Sequence, residues 1–232
     1  MPQRRDPGGP PAVIVGARRA TPPCCDNGGM SFFQRNRREL EQRGIDPARL
    51  PPGQYHTDRF PVLHVGDVPT YDMSTWTLQI FGNVERPATL TWDELRALPV
   101  VDVTTDIHCV TKWSKFDTVW KGVRLRDLLE LAGMKPDTKH LIQHAEYGYT
   151  ANVPIADALG DNCLLTYAFD DQPLEGEHGY PARTLIPQLY LWKSVKWIRG
   201  LEAAITDKPG FWEVRGYHNY GDPFREQRFT ND

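Results

Sequence analysis

Residues 106–129 read DIHCVTKWSKFDTVWKGVRLRDLL, and how this stretch folds decides the architecture around it. Upstream, Val101, Val103, Thr105 and Ile107 alternate along a strand that delivers Cys109. After Cys109 the text reads as an aromatic-lined loop carrying Trp113, Ser114, Trp120 and Gly122. Arg124 to Ala132 then reads as a helix, with Leu125, Leu128, Leu129 and Ala132 on one face and Gly133 at its end. A lone cysteine at the mouth of a strand is a packed thiol, a nucleophile or a metal ligand. His108 precedes it, but successive strand side chains point to opposite faces, so the two do not share a site. Lys112 and Lys115 are the nearby cations in sequence that favour a thiolate. Cys163, within NCLLTYAF, reads as core.

Working outward, Trp76 to Val84 alternates like a strand and turns at Glu85-Arg86-Pro87. Thr91 and Glu94 form a capping box for a helix that stops before Pro99. Further strands fall at 140–145, 149–153, 163–169, 183–187 and 196–206, with a short helix at 155–159. Strands are many, helices few, and there is no βαβ alternation. The fold class is α+β with a mixed sheet.

The first 55 residues differ in texture. They are dense in Pro, Gly and Arg, and they read as an arm, partly disordered or draped over the surface, preceding a single domain at 56–232. Within the arm, Ser31 caps a polar helix that runs to Arg43 and closes at Gly44, and PPGQYH marks a stiff linker. The paired arginines Arg4-Arg5 and Arg18-Arg19 are followed by no apolar segment, which argues against an export signal.

The net charge of −3 gives no general pull toward nucleic acid. No apolar run approaches the ~20 residues needed to span a bilayer. Four cysteines without C-x-x-C spacing, including the adjacent Cys24 and Cys25, suit a reducing cytoplasm better than a disulfide scaffold. Dinucleotide, Walker, H-E-x-x-H and G-x-S-x-G motifs are missing from the sequence. His144-Ala-Glu146 matches half of a zinc-deaminase motif, whose cysteine half is missing.

A second dense segment, residues 176–200, packs His178, Tyr180, Arg183, Tyr190, Trp192, Lys193, Ser194, Lys196, Trp197 and Arg199 into one span. As plain structure it is a strand–turn–strand whose cations snorkel off an aromatic surface. Arginine, lysine and serine beside an irregular loop also supply the fork, point charge and hydroxyl that a phosphate needs.

Taken together, HCVTKWS, then W-x-G-V-x-L-x-x-L-L, H-G-Y-P-A-R and L-W-K-S-V-K-W-I-R-G resemble the sulfite oxidase family of molybdopterin-binding oxidoreductases. The likeness covers residues 60–229 and fits best the small bacterial members without a haem domain. It implies the family's α+β cofactor domain, with molybdenum and molybdopterin as cofactors. By the same resemblance Cys109 is the metal ligand. His64, His178, Arg183, Ser194, Val195 and Lys196 contact the cofactor, the Ser194–Lys196 segment through its phosphate. Trp113, Tyr180 and Tyr190 are walls of the substrate pocket, and Tyr180 and Trp113 are grouped with Cys109 as catalytic.

Leu63 stands where sulfite oxidases carry a substrate-binding arginine, and C-V-x-x-W-S is nearer to the bacterial protein-methionine-sulfoxide reductases. The resemblance therefore implies oxygen-atom transfer on a small sulfur- or nitrogen-oxo substrate, sulfoxide-reductase-like, with an external electron donor or acceptor protein. The chain reaches Asp232 without the family's immunoglobulin-like dimerisation domain, so the expected state is a monomer. Two other readings stand beside this one: a hydrolase or transferase using Cys109 as nucleophile, and a pterin- or anion-binding module without turnover.

Overall fold

The computed structural model describes residues 31–232. The arginine pairs and the adjacent cysteines of the first 30 residues lie outside this range. Helix α1 (Phe32–Gln42) opens on the expected Ser31 cap: Gln34 N–H donates to Ser31 Oγ, and Ser31 N–H to Gln34 Oε1. Leu40 and Leu50 bury their side chains against Phe116. Arg49 forks onto Asp106 (2.9 and 2.6 Å) and also reaches Asp117. Pro51–His56 is therefore no free linker. Gln54 is buried, and β1 (Tyr55–His56) pairs in parallel with residues 113–114.

Strand β2 (Thr77–Gly82) pairs antiparallel with β3 (Ala88–Thr91), which runs through the Thr91–Glu94 capping box into α2 (Trp92–Ala97). β4 (Val101–His108) leads to Cys109, as expected. The stretch beyond is not a loop. It is β5 (Trp113–Arg124), the 12-residue strand on which one sheet is built. Cys109 to Lys112 is the tight turn of a β4–β5 hairpin. Lys112 donates to the Cys109 carbonyl (3.0 Å), Cys109 N–H donates to Trp113 (2.9 Å), and Lys112 takes φ +76°. β5 pairs with β4 along one edge and with β1 and then residues 164–169 along the other.

Helix α3 (Leu125–Leu131) buries Leu125, Leu128 and Leu129 as its periodicity predicts. β6 (His140–Ala145), β7 (Thr150–Pro154), the short α4 (Ile155–Ala158), β8 (Leu164–Phe169), β9 (Gln172–Pro173), β10 (Arg183–Leu185) and β11 (Ile198–Ala204) complete the order. A five-stranded sheet runs β3-β2-β11-β6-β7, with only β2–β11 parallel. The main core holds Leu78, Ile80, Leu128, Leu141, Val153, Leu165 and Leu201. A second cluster, with Ile107, Trp113, Trp120, Leu164 and Leu185, backs the Cys109 hairpin. This mixed-sheet arrangement is the α+β class read from the sequence.

Gly122 lies where β5 and β8 approach most closely. A Cβ there would sit 2.2 Å from the Leu165 carbonyl oxygen and 2.7 Å from Thr166 Cα, both backbone atoms that cannot swing aside. Gly122→Ala is expected to destabilise the domain by about 1–3 kcal/mol through overpacking, read as a lower denaturant midpoint; an unchanged midpoint contradicts this packing.

Candidate active site

Cys109 opens onto a cavity of about 280 Å³. Its walls come from four places: the Phe60–Val65 segment, the Cys109 turn with Trp113, the end of β6 with the following loop, and residues 191–197. Phe211, Trp212 and Tyr217 close the remaining side. The thiol is buried at 7 % exposure, and Thr111 Oγ1 donates to its sulfur at 3.1 Å. Burial pushes the thiol pKa up, while the Thr111 hydrogen bond and the charges of Lys196 and Arg228 pull it back. Lys112 and Lys115 play no such part. Lys112 is exposed, and Lys115 is tied to the Asp58 carbonyl at 2.8 Å.

Among the described residues, two cations face this cavity. Arg183, on β10, is 1 % exposed and donates to the carbonyls of Thr184, His178 and Ser194. Lys196 Nζ donates to the carbonyls of Leu63 (3.0 Å) and Glu177 (2.6 Å). Among the described residues every hydrogen bond the two donate ends on a neutral carbonyl oxygen, and no carboxylate pairs with either. Burial drags Arg183 down to about 10. Burial first, and Arg183's repulsion second, bring Lys196 down to about 7. Lys193, three residues away, is the contrast: it is fully buried and paired to Glu213 Oε1 at 2.5 Å, away from the cavity. An anion entering the cavity gains what Arg183 and Lys196 lack.

The other expected residues divide. Ser194 is buried on the cavity wall, and its Oγ accepts from Ile186 N–H at 2.9 Å, which leaves its proton to donate. Val195 lines the wall, but its N–H is already given to Thr184 Oγ1 at 2.7 Å. His64 lines the rim, its Nδ1 2.9 Å from the Gly66 carbonyl and its ring edge-on to Trp197 at 5.4 Å. Trp113 lines the cavity.

His178 stands one layer back. It is stacked on Phe60 at 4.0 Å and bridges Glu175 to the Phe60 carbonyl, while its own carbonyl anchors Arg183. Tyr180 is not brought to the cavity, because its side chain packs into the cluster around Trp113 and Trp120. Tyr190 is fully buried behind Trp192, stacked on it at 5.3 Å, so it is not a wall either.

The sequence reading gives Trp197 no role and passes over the other contributors. Trp197 is held at φ +55°, a strained conformation for so bulky a residue, and its Nε1 donates to the Gly176 carbonyl at 2.8 Å. Arg228 donates to the Val110 carbonyl (3.0 Å) and the Pro52 carbonyl (3.3 Å), and Gln54 Nε2 donates to the Cys109 carbonyl (3.1 Å). The cysteine turn is thus gripped from both ends of the described chain. Only Thr111, inside the CVT text, carried a local signal.

A mixed α+β domain with a cavity-facing thiol beside two unbalanced cations defines an enzyme domain built to hold an anionic group. The chain belongs to the oxidoreductase molybdopterin-binding domain family, whose family model matches residues 65–212. It is 48% identical over 196 residues to an uncharacterized oxidoreductase, YuiH, of Bacillus subtilis, covering 84% of this chain and 97% of that one. A putative protein-methionine-sulfoxide reductase subunit, YedZ1, of Azospira oryzae is 32% identical over 76% of this chain and 70% of its own length. The mitochondrial sulfite oxidase of Drosophila melanogaster is 30% identical over 75% of this chain, which spans 35% of it. The sulfane dehydrogenase SoxCD of Paracoccus pantotrophus shares the fold at TM-score 0.59 and 23% identity, over 67% of this chain and 44% of that one. The protein is a molybdopterin-binding oxidoreductase of the sulfite oxidase type. No helix among the described residues is long and apolar enough to cross a membrane.

The Lys196 shift has a sign that can be tested without cofactor. Between about 7 and the ordinary 10.5 the unfolded lysine holds a proton that the folded one has released. Lys196 therefore contributes stability that is full above 10.5 and is lost as the pH falls toward 7. Denaturant midpoints of the cofactor-free protein, wild type minus Lys196→Met, are expected to rise with pH across that window; a flat difference contradicts the desolvation of the Lys196 ammonium.

Proposed function

We propose that this chain is a molybdenum-dependent oxidoreductase that transfers an oxygen atom on a small sulfur- or nitrogen-oxo substrate, nearer to a sulfoxide reductase than to a sulfite oxidase. The observation that carries the reading is the Cys109 sulfur in a cavity with Arg183 and Lys196, neither balanced by a carboxylate. The residues present fit the group. Among the described residues no cluster of three His, Cys, Asp or Glu side chains is arranged to hold a metal, so a metal on Cys109 draws its other ligands from an organic partner. The soft dithiolene of molybdopterin matches a soft thiolate.

When bound, the cofactor supplies two-electron oxygen-atom chemistry at molybdenum. Cys109 holds the metal through its thiolate. Arg183, Lys196 and the Ser194 hydroxyl grip the phosphate, with Val195 shaping the wall between them and His64 closing the rim. His178 acts at one remove by fixing Phe60 and Arg183. Trp113, Trp192, Trp212 and Tyr217 exclude water from the reacting end. Once the phosphate has claimed Arg183 and Lys196, no arginine or lysine among the described residues lining the cavity is left for a small anion, and Glu146 also lines it. A neutral oxo substrate suits that lining better than sulfite does. The likeness to a putative sulfoxide reductase subunit supports the same choice. Electrons for reducing the substrate come from an external donor protein; in the oxidising direction an external acceptor protein takes them.

A cysteine nucleophile is less well supported. His108 bonds Ser114 on the far side of the strand, so the histidine next to Cys109 in sequence is not placed as a base for the thiol.

Purified protein is expected to carry close to one molybdenum per chain by elemental analysis. With a dye as electron source it should reduce sulfoxides or N-oxides faster than it oxidises sulfite. Cys109→Ser should keep the pterin through its phosphate yet lose activity by more than the ~10–100-fold typical of outer-shell changes. Unchanged activity in that variant, or a metal-free active enzyme, contradicts the assignment.

A further inference from the structure

The hydroxyl of Thr111 is directed at the one protein atom proposed to bond the metal. Its Oγ1 lies 3.1 Å from Cys109 Sγ, two residues back along the same tight turn. The side chain is exposed at the cavity edge and packs into no core cluster, so folding does not require it. Thr111 also occupies one of the two positions that the C-V-x-x-W-S pattern leaves open. The turn that sets this geometry is rigid. Lys112 N–H closes it at 3.0 Å, Arg228 holds the Val110 carbonyl, and Gln54 holds the Cys109 carbonyl.

A hydroxyl proton on a thiolate lone pair withdraws charge that the sulfur would otherwise donate to a metal. A weaker donor stabilises the more reduced metal and raises its potential, as hydrogen bonds to metal-bound sulfur do elsewhere. Resting on the function proposed above, we propose that Thr111 is a tuning residue: its hydroxyl sets the donor strength of the Cys109 sulfur and so raises the reduction potential of the bound metal, favouring reduction of an oxo substrate. Cys109 remains the ligand. Thr111 acts through it.

The test uses the metal-loaded enzyme and two variants. Thr111→Val keeps the branched shape and deletes the donor, whereas Thr111→Ser keeps the donor. Metal content is measured by elemental analysis, and midpoint potential by redox titration monitored through the metal's paramagnetic resonance. The expected result is equal loading in all three proteins, a lower midpoint in Thr111→Val, and a near wild-type midpoint in Thr111→Ser. At a fixed potential, a tenfold change in the oxidised-to-reduced ratio is a shift of ~59 mV for a one-electron couple. An unmoved or raised midpoint in a fully loaded Thr111→Val overturns the proposal. So does an equal shift in both variants, or loss of metal from Thr111→Val alone, which would make the hydroxyl a tether. Absence of metal from the wild type would instead contradict the proposed function, so the two failures are separable.

Discussion

Two backbone hydrogen bonds close the turn from Cys109 to Lys112, and that closure places a thiol on the cavity that buried Arg183 and half-buried Lys196 also line. Arg183 and Lys196 are desolvated with no carboxylate hydrogen-bonded to either among the described residues, and holding them so costs folding free energy. The fold supports that cost with the dense packing of the Trp113–Trp120 cluster behind the hairpin and with carbonyls aimed at each cation. An anionic cofactor relieves the imbalance, so binding and stability are coupled through the same charges.

The contrast between Lys193 and Lys196 shows how a short segment sorts its residues by task. Lys193 turns inward to Glu213, Asn152 and the Asn219 carbonyl, and it ties the segment carrying Trp212 and Tyr217 to the sheet below. Lys196 meets only carbonyl oxygens and keeps its charge for the cavity. One lysine builds the wall, while the other serves whatever the wall encloses.

Much of this was legible in the text. The strand leading to Cys109, the Thr91 capping box, the helix after Gly122 and the opposed directions of His108 and Cys109 follow from periodicity and capping chemistry, and the structure has each. The strand β5 was not legible, for physical reasons. Its charged residues Lys115, Asp117 and Lys121 interrupt the aromatic alternation, and Asp117 takes a positive φ. The turn before it places Lys112, rather than Gly or Asn, in the left-handed region, so no hairpin signal announces it. The clamp on the cysteine turn was invisible for another reason. Gln54 and Arg228 lie 55 and 118 residues from the carbonyls they hold, and no local pattern records such a partnership. Tyr180 and Tyr190 sit beside site residues in sequence, yet packing sends both rings into the layer behind.

X-ray absorption at the molybdenum edge, on the loaded wild type and on Cys109→Ser, reads the central bond directly. The account predicts that the metal of the wild type has one more sulfur neighbour than that of the variant. The same number of sulfur neighbours in both proteins would mean that Cys109 does not bind the metal, and would contradict it.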